Sequence, residues 1–159
     1  MGMETTRPIA AAVAIPLLLL GGCAQDPGVD LSAARQWADE VSAAASDGPG
    51  FAGAAASEVG TEESESGVML LELQPGTVLT RVDARCYGGD VETISTVVTI
   101  TLDTEDGVDD TIEREIPCDE EAHAVDLRPT AADSLMIEGV ASAPTYLHAT
   151  AIIELRVEQ

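Results

Sequence analysis

Short runs of alternating apolar and polar residues fill the sequence from Val68 onward, and they constrain its fold more than any other feature. Alternation with a period of two is typical of strands that bury one face. Seven such runs lie near residues 68–73, 78–87, 91–102, 110–117, 122–127, 134–140 and 146–157. The clearest of them has one face formed by Ile94, Thr96, Val98, Ile100 and Leu102. Because no helical pattern separates the runs, we predict a mainly β domain over residues 68–159, an antiparallel β-sandwich of jelly-roll or immunoglobulin-like type with about seven strands.

The segment before this domain has the pattern of a helix. Asp30 is a favourable N-cap, and a helix over residues 31–46 would place its apolar residues on one side. These apolar residues are Leu31, Ala34, Trp37, Val41 and Ala45. Two glycines and a proline in residues 47–50 would end the helix. Residues 51–67 are mostly Ala, Gly, Ser and Glu, which predicts a flexible linker, so residues 23–67 are interpreted as tether, helix and linker.

The first residues have the layout of an export signal. An apolar run of twelve residues, Ile9 to Leu20, follows Arg7 and is too short to span a bilayer. The segment Leu20-Gly21-Gly22-Cys23 resembles the lipobox of bacterial lipoproteins, in which a leucine and two small residues precede a cysteine. This resemblance implies a signal peptide over residues 1–22 and attachment of lipid to Cys23 after cleavage. An ordinary secretory signal, with Cys23 incidental, is the alternative.

Lipidation of Cys23 would leave two cysteines, Cys86 and Cys118, in a compartment that permits disulfides. Each cysteine shares the apolar side of its predicted strand, Cys86 with Val82 and Ala84. We therefore predict a structural disulfide that closes a loop of about 33 residues, worth on the order of 3 to 4 kcal/mol. Two buried thiols are the alternative, and redox activity is not expected because no Cys-x-x-Cys motif is present.

The charge of the chain excludes some partners and suggests one ion. With 29 acidic residues against 7 basic ones the formal net charge is -22, which disfavours nucleic acid and anionic membrane surfaces. Acids are densest between Asp103 and Glu121. Calcium is the cation that such oxygen ligands would bind. The weak candidate ligands are Asp103, Glu105, Asp106, Asp109 and Asp110. An EF-hand is excluded, since Gly107 at the sixth loop position would put Leu102 at the first, and a plain acidic surface is the main interpretation.

No constellation in the sequence points to a reaction. The two histidines, His123 and His148, are isolated and predict only a surface or cross-strand role, and no serine has a nucleophile-elbow motif. Rings that could stack on sugars are few: Trp37, Phe51, Tyr87 and Tyr146.

Taken whole, the chain resembles the small cell-surface lipoproteins of high-G/C Gram-positive bacteria. This resemblance implies a protein anchored by lipid to the outer face of the cell membrane. We expect a non-catalytic binding or structural module without a cofactor, and its partner would be an envelope protein or a cell-wall component. The alternatives are a small cell-wall hydrolase and a calcium-binding accessory domain.

Overall fold

The computed structural model describes residues 29–63, 66–89, 93–104 and 110–153. The predicted signal peptide and Cys23 lie outside the described residues. Within those ranges the chain forms one helix and eight strands, and 58% of it is strand. The elements are α1 (Leu31–Ser46), β1 (Phe51–Val59), β2 (Gly67–Glu72), β3 (Val78–Cys86), β4 (Ser95–Asp103), β5 (Asp110–Pro117), β6 (His123–Ala131), β7 (Ser134–Ala141) and β8 (Thr145–Ile153). None of the described helical segments is long and apolar enough to cross a membrane.

The strands form two antiparallel four-stranded sheets. Sheet A has the order β1-β8-β3-β6 and sheet B the order β2-β7-β4-β5. The strands pair first with eighth, second with seventh, third with sixth and fourth with fifth, as when one long hairpin is rolled up. This order is that of a jelly roll, which confirms the predicted β-sandwich and selects one of its two predicted types.

The core lies between the two sheets and comes from the alternation seen in the sequence. The predicted face of β4 is buried throughout, with Val98, Ile100 and Leu102 at most 1% exposed. Opposite them, β3 and β8 contribute residues such as Val82 and Leu147, which are fully buried. Burying an aliphatic side chain of this size is worth about 1.5–3 kcal/mol, so the two apolar faces hold the sheets together.

Helix α1 forms a third layer on the outer face of sheet A. Its predicted N-cap is confirmed, because Oδ1 of Asp30 accepts hydrogen bonds from the backbone N–H groups of Ser32 at 2.9 Å and Ala33 at 3.2 Å. The helix packs against β8 and β1. The residues at the centre of the contact, Ala34 and Ala38, are 0% and 2% exposed. Their small side chains let the helix lie close to the sheet.

The predicted flexible linker over residues 51–67 is wrong for its first half. Residues 51–59 form β1, which pairs with β8 from Gly53 opposite Ala151 to Val59 opposite Thr145. Alanine and glycine are poor strand formers, so the composition alone disfavoured a strand. Packing overrides this preference, because β1 contacts both α1 and β2. At Gly67 a Cβ atom would lie 2.5 Å from the carbonyl oxygen of Glu58, so larger residues would not fit there.

The predicted disulfide is present and joins the two sheets. Cys86 ends β3 in sheet A, and Cys118 directly follows β5 in sheet B. Their Cα atoms are 4.3 Å apart across a sequence separation of 32 residues. The hydroxyl of buried Thr96 lies 3.0 Å from Sγ of Cys86 and donates to it. The bridge therefore fixes the end of the sandwich at which β3 and β5 approach each other.

Candidate binding face

The two outer faces of the sandwich differ in how they are covered. Helix α1 covers much of the outer face of sheet A, whereas no described element packs over the outer face of sheet B. Three large aliphatic residues of the described chain are exposed: Val68 at 54%, Leu70 at 61% and Val97 at 36%. All three project from the outer face of sheet B. Solvent-exposed aliphatic residues gathered on one surface are typical of an interaction site.

Alternation and register place the side chains of this surface, which we call the open face. Val68 lies opposite Glu138, Leu70 opposite Met136, and Val97 opposite Val140. Because alternate residues of a strand share a face, these pairs define the rest of it. The open face consists of Val68, Leu70, Glu72, Ser95, Val97, Thr99, Thr101, Asp103, Thr111, Glu113, Glu115, Ser134, Met136, Glu138 and Val140.

A shallow depression of about 590 Å³ lies on the open face. Its lining residues are Glu63, Ser66, Val97, Thr99, Glu113, Glu138 and Val140. Three carboxylates, two hydroxyls and a pair of valines therefore face one space. The valines, Val97 and Val140, are direct cross-strand neighbours on β4 and β7. The depression offers hydrogen-bond acceptors and negative charge around a small aliphatic floor.

The charges of the open face have one sign. Its charged residues are Glu72, Asp103, Glu113, Glu115 and Glu138, all of them acidic. The arginines of the described chain lie elsewhere: Arg35 on α1, Arg81 and Arg85 on β3, and Arg128 on β6. Arg114 is on β5 but pairs with core-facing Val98, so it lies on the opposite side of the strand from the glutamates.

The predicted calcium ligands are not brought together where the structure describes them. Asp103 lies on the outer side of sheet B, whereas Asp110 pairs with core-facing Leu102 and lies on the inner side. Both side chains are exposed. The other three candidates, Glu105, Asp106 and Asp109, fall outside the described residues. Across the described ranges no group of three or more His, Cys, Asp or Glu residues is placed to hold a metal ion.

A second cluster of polar residues lies between α1 and sheet A, and it corrects the predicted role of His148. This histidine is fully buried beneath the helix, because its strand β8 is covered on both sides. Its Nε2 atom is 3.0 Å from Oγ of Ser42 on α1. Burial lowers the pKa of His148 to about 4, and the positive charge of neighbouring Arg85 adds to this effect. The imidazole is therefore neutral at physiological pH.

The Ser42–His148 pair has the wrong surroundings for a nucleophilic dyad. Such a pair needs a third group that orients the histidine through its other ring nitrogen. Among the described residues, Nδ1 of His148 has no hydrogen-bond partner. The neighbouring contacts instead hold the helix in place: the ring centroids of Trp37 and Tyr87 are 5.5 Å apart, and Trp37 meets His148 edge-on at 6.5 Å. The pair is thus part of the helix–sheet interface.

The other aromatic residues also lie on the helix side of the molecule. Nε of Arg35 donates a hydrogen bond of 3.0 Å to the hydroxyl of Tyr146, and its guanidinium stacks over that ring at 5.9 Å. Phe51 begins β1 and pairs with Ile152 of sheet A. Tyr87, which the sequence suggested could be exposed, is half-buried against Trp37. The open face as defined contains no aromatic ring.

The remaining histidine, His123, lies at the start of β6. Its Nε2 atom is 2.8 Å from Oδ1 of Asp119, and this hydrogen bond lowers the pKa of the Asp119 carboxyl. Both side chains are partly exposed. A hydrogen bond between two neighbouring, partly exposed side chains agrees with the predicted surface role.

Neither a known protein family nor a curated protein matches the chain by its sequence. Among solved structures, the chain is similar to the CBM32 domain of AlyQ in complex with 4,5-unsaturated mannuronic acid. The two sequences are 14% identical, the match covers 64% of this chain and 95% of that chain, and the TM-score is 0.45. It is also similar to the mitogen YPM of Yersinia pseudotuberculosis. Here the sequences are 9% identical, the match covers 67% of this chain and 88% of that chain, and the TM-score is 0.43.

Proposed function

We propose that the protein is a lipid-anchored, non-catalytic binding module of the cell envelope, and that it holds an envelope protein on the open face. One observation carries this proposal: the three exposed large aliphatic residues of the described chain, Val68, Leu70 and Val97, all project from that face. Because these side chains are 36% to 61% exposed, leaving them in water forgoes roughly half of the 1.5–3 kcal/mol that full burial of each would supply, and a partner would recover part of it.

The chemistry of the open face favours a protein over a glycan. Sugar rings stack on aromatic side chains, and Trp37, Tyr87 and Tyr146 are all engaged on the helix side. Aliphatic residues surrounded by polar ones are instead typical of protein–protein interfaces.

The position of the proposed anchor agrees with this use of the open face. Seven residues separate Cys23 from Leu31, the first residue of α1, and they can span at most about 25 Å. Lipid on Cys23 would therefore hold the start of α1, on the helix-covered side, within a few tens of ångströms of the membrane. The open face is on the opposite side of the sandwich from α1, so this tether permits it to point away from the bilayer and toward partners.

Chemical footprinting in intact cells tests the occupied face. The native Cys86 and Cys118 are bridged and do not react, so a single introduced thiol can be followed with a membrane-impermeant maleimide. We expect Val97→Cys to label slowly in cells and rapidly after purification, because the partner covers it. The matched control is Ala124→Cys, at an exposed position on sheet A, which should label equally in both states. Equal labelling of Val97→Cys in both states would exclude an occupied open face.

Metabolic labelling with palmitate tests the anchor separately. We expect the full-length protein to incorporate label and to fractionate with membranes, and the Cys23→Ala variant to do neither. Incorporation that persists in Cys23→Ala would contradict the proposed attachment site.

A further inference from the structure

We infer that the partner inserts a cationic polypeptide segment with aliphatic side chains into the depression on the open face. This inference rests on the proposed function and adds the chemistry of the partner. It follows from the combination of one-signed charge and exposed aliphatic residues on a single surface.

The arrangement of the carboxylates suits separate cationic side chains. Thr99 of β4 pairs with Glu138 of β7 on one side and with Glu113 of β5 on the other. Neighbouring strands are about 4.8 Å apart, so the two glutamates leave the backbone roughly 10 Å from each other. Glu63 lines the same depression from the segment before β2. Three carboxylates distributed in this way can each pair with a lysine or arginine of one bound segment.

The aliphatic residues exclude a partner that is only charged. Val97 and Val140 form the floor of the depression, and Val68 and Leu70 extend the aliphatic surface along β2. A purely hydrophilic cation would leave these side chains in contact with water. A segment that carries both basic and aliphatic residues satisfies the charges and buries the floor at the same time.

Two other occupants are disfavoured by the same charges. A second copy of this chain would bring two open faces of like charge together, and such contacts cost free energy. An anionic bilayer surface would be repelled for the same reason. A basic segment of another protein is the occupant that the charge of the open face attracts.

A binding assay with a synthetic peptide tests this inference. The full-length lipidated protein is placed in nanodiscs of neutral phosphatidylcholine and titrated with a fluorescent twelve-residue peptide that contains lysines, valines and leucines. A second peptide of the same length has glutamate in place of each lysine. We expect the lysine peptide to bind and the affinity to fall as salt rises from 20 to 500 mM, because salt screens exposed charges. The glutamate peptide should not bind.

Charge-neutral variants locate the binding site. In the variant Glu63→Gln, Glu113→Gln, Glu138→Gln we expect affinity for the lysine peptide to fall by roughly 3- to 100-fold at low salt, since each of the three exposed pairs contributes roughly 1.5- to 5-fold. The matched control, Asp39→Asn, Glu40→Gln, Asp126→Asn, removes three charges from the helix side and should change affinity less than twofold. All of these positions are partly or fully exposed, so both variants should fold.

Several results would overturn the inference. Absence of binding by the lysine peptide at 1 mM, equal binding by the glutamate peptide, or equal losses in the two variants would each exclude a cationic segment at this site. If the Val97→Cys footprint remained protected in cells, the proposed binding module would stand with a partner of different chemistry. If Val97→Cys also labelled equally in cells and after purification, the proposed function itself would be excluded.

Discussion

The buried histidine makes the stability of the fold depend on pH in a way that can be measured. His148 is 0% exposed beneath α1, its Nε2 atom forms a hydrogen bond with Oγ of Ser42, and its Nδ1 atom has no partner among the described residues. Its pKa falls from 6.5 to about 4 on folding, because burial and Arg85 oppose the charged form. The folded state therefore resists protonation that the unfolded state accepts. Above pH 6.5 the imidazole is mostly neutral in both states, so its titration hardly changes the free energy of unfolding. Between pH 6.5 and 4 the unfolded state binds the proton first, so the free energy of unfolding falls progressively.

The size of the effect follows from the pKa. Each unit of difference corresponds to 1.36 kcal/mol, so the free energy of unfolding should lose about 3 kcal/mol between pH 6.5 and 4 through this residue alone. Carboxylates titrate over the lower part of the same range, and protonating them also relieves repulsion in an acidic chain. A comparison of two proteins at each pH removes these shared contributions.

The assay compares the native protein with His148→Gln by urea unfolding between pH 7.5 and 4.5. Trp37 is the only tryptophan and lies 6.5 Å from His148, so its fluorescence reports on this interface. We expect the free energy of unfolding of the variant, minus that of the native protein, to rise by about 2 to 3 kcal/mol as the pH falls from 7.5 to 4.5. The control Ser32→Ala, at an exposed and non-titrating position of α1, should keep the native slope. A difference between native and His148→Gln that stays constant with pH would refute the assignment of a buried neutral imidazole.

Three further predictions concern the architecture. Replacing the bridge by Cys86→Ala with Cys118→Ala should cost about 3 to 4 kcal/mol and lower the Tm by roughly 10 to 15 °C, measured by calorimetry; an unchanged Tm would mean that the bridge does not stabilise the fold. Asp30→Ala should destabilise by about 1 kcal/mol in urea, whereas Asp30→Ser should retain most of the stability, and equal losses would exclude a capping role. Gly67→Ala should destabilise by at least 1 kcal/mol because its Cβ would meet the Glu58 carbonyl, and a neutral result would show that β1 and β2 separate easily.

Features determined by local pattern were predictable from the sequence. The helix begins after the predicted cap at Asp30 and covers the predicted residues 31–46. The alternating faces of the strands are also confirmed, as is the pairing of Cys86 with Cys118, because a cysteine on an apolar strand face points to the core. The helix and the strand faces depend on residues close together in the chain, and the bridge was predictable because only two cysteines remain after Cys23.

Features that depend on distant contacts were missed. β1 has Val59 as its one β-branched residue among nine, and it is held by α1, β8 and β2, which no local window reveals. His148 alternates as a surface residue would, and only the helix above it makes the position buried. The open face could not be predicted either, since Val68, Leu70 and Glu138 come together only when β2 pairs with β7, which lies far along the chain. Sequence periodicity gives the faces of strands but not which face remains uncovered.

Photocrosslinking in cells tests the central claim most directly. A photoreactive amino acid at Leu70, the most exposed aliphatic residue of the open face, is compared with the same group at Ala124 on sheet A, in the intact lipidated protein. The proposed function predicts a discrete crosslinked protein from Leu70 alone, attached through a segment rich in lysine or arginine and lost in the Glu63→Gln, Glu113→Gln, Glu138→Gln variant. Crosslinks of equal yield from both positions, or none from Leu70, would contradict it.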